Sequence, residues 1–156
     1  MTRRPLPLIR TADDSDASRI ADIHVRTRAA TMPYLPAQTR TRDEVVAWVT
    51  EVVLPAGPVW VAEQDHEVCG YAAVKGDLLD ALYVLPEMLG RGIGAALLDQ
   101  VQRAATGPVR LFVFEQNVGA RRFYERHGFV VTQRGDGTGN IEGLPDLTMR
   151  WVRERV

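Results

Sequence analysis

Glycine stands at positions 90, 92 and 94, directly behind the apolar run at 78–85, and this spacing suits the binding of an anion. The stretch Leu89-Gly-Arg-Gly-Ile-Gly-Ala95 has few side chains to hold a ligand away from the backbone. The N–H groups in the first turn of a helix starting near Ile93 would have no intrahelical acceptor. A strand feeding such a turn makes an anion cradle, in which the helix dipole adds to the amide hydrogen bonds. Phosphate is the expected guest. A second chemical pair is Asn117 and Tyr124. Asn117 is placed to cap a helix from Val118, and Tyr124 lies seven residues on, two turns along the same face, so both would line one groove.

Glycine turns of this kind serve several chemistries. A phosphate-binding loop of the nucleotide hydrolases needs Gly-Lys-Ser/Thr, and Gly94 is followed by Ala95 and Ala96, which excludes it. Gly90-x-Gly92-x-x-Ala95 with Glu115 at the end of the following strand also matches a dinucleotide fingerprint, so a nicotinamide-dependent oxidoreductase stays open at this point. Against that alternative, the motif follows an antiparallel hairpin, and too little chain follows Glu115 for a second nucleotide-binding half and a substrate domain.

The elements that must position these residues follow from periodicity. A short strand is expected at 6–10, then a cluster of capping residues at 11–15 and a helix at 17–30, with Arg19, Arg26 and Arg28 on its wetter side. Thr41-Arg-Asp-Glu44 reads as a capping box, and Val45, Trp48, Val49 and Val52 mark the apolar face of a second helix. Runs at 59–63 and 68–74 form a hairpin around 64–67. A third strand at 78–85 leads into the glycine turn and the helix at 93–105. The chain then reads as strand at 109–114, helix at 118–127 stopped by Gly128, strand at 129–133, a glycine-rich loop and a last strand at 147–152. The result is an α/β sheet of mixed direction with the glycine turn in its middle.

A chain of 156 residues with 46% hydrophobic and 25% charged residues fits a single domain over residues 1–156. The net charge of -1 gives no global attraction to nucleic acid. The one cysteine, Cys69, excludes an internal disulfide and a cysteine metal cluster. No apolar run reaches the roughly 20 residues of a membrane span, and a cytoplasmic protein is expected.

The two chemical blocks together resemble the GNAT superfamily of N-acetyltransferases, most closely over residues 78–129. That family carries Gln/Arg-x-x-Gly-x-Gly/Ala after a bulged strand, and here Leu89 takes the first position before Gly92 and Gly94. Its second block, Asn-x-x-Ala-x-x-Phe-Tyr-x-x-x-Gly-Phe, is matched by Asn117, Ala120, Phe123, Tyr124, Gly128 and Phe129.

The resemblance implies a mostly antiparallel mixed sheet with a central splay, flanked by about four helices. It implies transfer of an acetyl group from acetyl-CoA, as co-substrate, to the primary amine of a small molecule or peptide. Direct attack in a ternary complex would do this, with no metal and no enzyme nucleophile. The cofactor would contact Leu82, Tyr83, Val84, Leu89, Gly90, Arg91, Gly92, Ile93, Gly94, Ala95, Asn117, Ala120 and Tyr124, with Tyr124 protonating the departing sulfur. Many members carry glutamate at the position of Leu78. Asp80, two residues along, is the candidate base in its place, with Glu115 a second choice. The missing glutamate also keeps open a non-catalytic acyl-CoA-binding module. His24 and Tyr34 are the candidates for the acceptor site, and the loop carrying Asp136 and Glu142 could reach the same mouth. No nucleic-acid or membrane partner is expected, and a homodimer is allowed.

Overall fold

Asp65 and His66 adopt left-handed backbone angles, φ 52° and 66°, and turn strand β2 (Val59–Gln64) back onto β3 (Glu67–Lys75). Positive φ at both central residues matches the right-handed twist of the paired strands. The computed structural model describes residues 5–154. Strand β1 (Leu8–Thr11) adds to the outer edge of β2, and β4 (Leu78–Val84) to the inner edge of β3, both antiparallel. After β5 (Val109–Phe114) come β6 (Val130–Gly135) and β7 (Asp146–Trp151), with β7 inserted between β5 and β6. The seven strands run in the order β1-β2-β3-β4-β5-β7-β6, antiparallel except where β4 meets β5.

That junction shapes the molecule. The parallel pair β4–β5 has one register contact, Leu78↔Arg110, held by Arg110 N–H to the Asp77 carbonyl at 2.9 Å and by the Arg110–Asp77 ion pair. Beyond Leu78 no residue of β4 is paired with β5, so the two strands part. This is the expected central splay.

Among the described residues, four α-helical segments cover the sheet. Helix α1 (Ala17–Thr31) buries Ile20, Ile23, His24 and Thr27. Helix α2 (Arg42–Trp48) starts at the capping box, with Glu44 N–H to Thr41 Oγ1 and Thr41 N–H to Glu44 Oε1 both at 3.2 Å. It continues through a π-helical turn, Val49–Val53, and a last turn, Leu54–Ala56. Helix α3 (Ile93–Ala104) follows the glycine turn, and α4 (Val118–Arg126) follows β5. Adjacent residues of a strand face opposite sides. His24 of α1 hydrogen-bonds Tyr71, while a side chain at Gly70 would meet Leu97 and Ile93 of α3, so α1 and α3 lie on opposite faces.

The π-turn corrects one expectation. Wider winding moves the buried stripe of α2 to Val45, Val49 and Val53, and leaves Val52 more than half exposed. The sheet is also not the parallel, doubly wound type that the dinucleotide fingerprint requires. Cys69 is buried, with its thiol against the Ala62 carbonyl at 3.5 Å. Among the described residues no helix is long and apolar enough to cross a membrane.

Candidate functional site

Parting of β4 and β5 opens a cavity of about 960 Å³ that runs from the glycine turn, through the sheet, to α1. At the turn, Gly90 and Gly92 take φ of 77° and 81°, a region that side chains with a Cβ rarely adopt. Gly92 is the N-cap of α3 and offers no side-chain oxygen to its first amides. The first turn, Gly92–Ala95, lines the cavity, so the positive end of the helix dipole stands at its mouth. Gly94 has a different role. A methyl group there would lie 3.5 Å from Phe123 and 3.8 Å from Leu82, so it sits where α3 closes on α4 and β4.

On the α3 and α4 face, the Asn117 side chain accepts from Ala120 N–H at 3.3 Å and so caps α4. Asn117 also lines the cavity. Tyr124, on the same helical face, is buried with its ring set edge-on to Phe123 and Phe129, and it too lines the cavity. Burial raises its hydroxyl above the ordinary tyrosine range, with a smaller contribution from Tyr83, so it stays protonated at neutral pH.

Asp80 lines the cavity from β4 and is exposed. Ala81 pairs with Ala73, but the next pair is Leu79 with Val74, which leaves Asp80 as the extra residue of a β-bulge. Simple alternation therefore does not relate Asp80 to Leu78. Glu115 lies outside the cavity lining, beside Arg134 at 3.9 Å.

Of the other residues expected at the cofactor, Leu82, Tyr83, Val84, Leu89, Gly90, Gly92, Ile93, Gly94, Ala95 and Ala120 line the cavity, and Arg91 does not. His24 and Tyr34 lie outside its lining as well. His24 is buried, its Nδ1 3.0 Å from the Tyr71 hydroxyl, with the Trp48 and Tyr83 rings against it. Burial, with the nearby Arg28 and Arg40 charges, brings its pKa down to about 4, so it is neutral at pH 7. Tyr34 stands edge-on to Phe114, and its buried hydroxyl has no hydrogen-bond partner among the described residues.

The residue that periodicity misplaced is Arg28. Instead of pointing to solvent, it lines the cavity. Its Nη1 donates to the Tyr83 hydroxyl at 3.0 Å, and its Nη2 lies 3.6 Å from Glu142 of the glycine-rich loop. The preceding residue fixes this part of α1 against the splayed strand, Thr27 Oγ1 donating to the Val84 carbonyl at 3.1 Å. Nothing in the local sequence separates Arg28 from the outward Arg26, which pairs with Glu87 at the surface.

Comparison with known proteins agrees with this geometry. The family profile described as "Acetyltransferase (GNAT) domain" matches residues 55–131. Peptidyl-lysine N-acetyltransferase YjaB of Escherichia coli (strain K12) is 33% identical over 92% of this chain and 96% of its own. The solution structure of its apo form superimposes with a TM-score of 0.77, covering 96% of this chain and all of that one. L-amino acid N-acyltransferase MnaT of E. coli (strain K12) is 29% identical over 92% of this chain and 88% of its own. The structure of yncA from Salmonella typhimurium with its cofactor acetyl-CoA, 25% identical, covers 97% of this chain and 96% of that chain with a TM-score of 0.74. The chain belongs to the GNAT superfamily of N-acetyltransferases, and it is an acyltransferase.

Proposed function

We propose that this enzyme moves an acetyl group from acetyl-CoA to a primary amine by direct attack within a ternary complex. The observation that carries the reading is the single register pair between β4 and β5, which leaves an opening through the sheet with the glycine turn at one end and α1 at the other. An elongated ligand with phosphates at one end and a thioester at the other fits that shape. The left-handed backbone at Gly90 and Gly92, with no Cβ on either residue, fits its phosphate end.

In this reading the amides of the first turn of α3 hold the pyrophosphate, and the unpaired edge of β4 around Leu82–Val84 holds the pantetheine arm. Acetyl-CoA supplies the thioester: the amine nitrogen bonds to its carbonyl carbon as the carbon–sulfur bond breaks. A backbone N–H of β4 polarises the carbonyl oxygen. Asp80, directly or through water, takes the amine's proton, and the buried Tyr124 hydroxyl gives its proton to the departing sulfur. Asn117 supports this end of α4 as cap and cofactor contact. The names of the relatives point to two kinds of acceptor, a peptidyl lysine for YjaB and an L-amino acid for MnaT.

The test is release of free thiol from acetyl-CoA in the presence of a panel of amines, run beside thermal shift with acetyl-CoA, NADH and NADPH. Amine-dependent thiol release, with a melting temperature raised by acetyl-CoA and unmoved by the nicotinamides, is the expected result. Acetyl-CoA binding with no thiol release would return the chain to a binding module.

A further inference from the structure

The acceptor end of the cavity presents a cation that the transfer step itself does not use. Arg28 carries five N–H donors in a fork. One is occupied by the Tyr83 hydroxyl at 3.0 Å, and the Glu142 carboxylate stands off at 3.6 Å, beyond hydrogen-bond range. The side chain is 28% exposed and lines the cavity. Glu142 is the ion-pair partner of Arg28, so an incoming carboxylate would share or replace that pairing.

We infer that Arg28 is the residue that selects the acceptor, and that the acceptor is a free α-amino acid whose carboxylate binds the open edge of the guanidinium. This rests on the acetyl-transfer reading above. A planar guanidinium matches a carboxylate in two parallel hydrogen bonds. Tyr83 belongs to the β4 segment that flanks the splay, so an anion on Arg28 sits beside the opening. An α-amino acid has one carbon between its carboxylate and its amine, a span that lets the amine reach the opening while the anion is held. A peptidyl lysine carries no anion near its amine. It would leave Arg28 without a ligand group.

The experiment compares the twenty common L-amino acids, their amides and a lysine peptide with blocked ends, each read by thiol release with saturating acetyl-CoA. The parent enzyme should prefer the best acid over its amide by about 10²-fold in kcat/KM, chiefly through KM. Arg28→Met should bring that ratio close to one, and Arg28→Lys should restore part of it. A merely structural Arg28 would lower both rates and leave the ratio unchanged. Calorimetry on protein saturated with CoA should show the acid binding more tightly than the amide in the parent, and no such difference in Arg28→Met. Equal rates for acid and amide in the parent, or a lysine peptide favoured over every amino acid, would overturn the inference and leave the transferase standing. Thiol release with none of these amines would overturn both.

Discussion

His24 Nδ1 and the Tyr71 hydroxyl lie 3.0 Å apart, both side chains buried between α1 and the sheet. The pair makes His24 part of the core. Its pKa, about 4 in the folded protein, compares with about 6.5 in the unfolded chain. Between those values the unfolded chain binds more protons than the native one, so stability rises with pH across the window and falls on acidification. Above pH 6.5 both forms are neutral and the dependence vanishes. The loss from pH 7 to pH 4 should reach about 3 kcal/mol from this group. His24→Asn cannot titrate, and its melting temperature should fall less steeply over the same window, measured by calorimetry at intervals of pH. An identical slope in the variant would show that His24 is not the group responsible.

Gly92 combines a left-handed backbone with open space around its missing side chain. Gly92→Val should destabilise by about 1–3 kcal/mol through backbone strain and also place a branched group in the phosphate cradle. Acetyl-CoA affinity should fall about tenfold or more by titration calorimetry. Gly76→Val separates the two effects. Gly76 has φ 62° and equally open space at the β3–β4 turn, away from the cradle. That variant should lose similar stability and keep its acetyl-CoA affinity.

Asn117 is both a helix cap and a lining residue, and one substitution can divide these roles. Aspartate caps as well as asparagine does, but has no amide donors and adds a negative charge. Asn117→Asp should therefore keep the parent melting temperature and bind acetyl-CoA more weakly. Asn117→Ala should lose about 1 kcal/mol of stability as well. Parental affinity in the aspartate variant would make Asn117 a cap alone.

Features written in short-range spacing were legible from the residues. The Thr41–Glu44 capping box, the glycine turn that opens a helix at Ile93, and the shared face of Asn117 and Tyr124 each depend on residues a few positions apart. What periodicity missed depends on distant partners or on breaks in regular winding. Arg28 is turned inward by Tyr83, 55 positions away. Val53 replaces Val52 in the core because of a π-turn, and Asp80 is the extra residue of a bulge opposite β3. His24 and Tyr34 have the right polarity for an acceptor site, but the sheet and α1 enclose His24 and Phe114 flanks Tyr34, leaving both outside the cavity lining.

Tyr124 is the last residue whose role the structure makes testable. It is buried on the cavity wall, and desolvation holds its hydroxyl in the protonated form. A group in that state can donate a proton and is a poor base. The thiol it would serve should have a pKa near that of cysteine, about 8.5, so the thiolate leaves unaided at a finite rate and gains from a donor. General acid help is worth about 10² to 10⁴ in rate, and for so good a leaving group the lower end is expected. Tyr124→Phe keeps the ring against Phe123 and Phe129 and removes only the hydroxyl. It should lower kcat by about 10² or somewhat less, with acetyl-CoA affinity and melting temperature unchanged. Because its pKa is raised, Tyr124 should impose no falling limb on the parent pH–rate profile below about pH 10. An acyl donor with a more basic leaving thiol should enlarge the defect. Parental kcat in the phenylalanine variant, under conditions where the chemical step limits turnover, would return Tyr124 to a packing role.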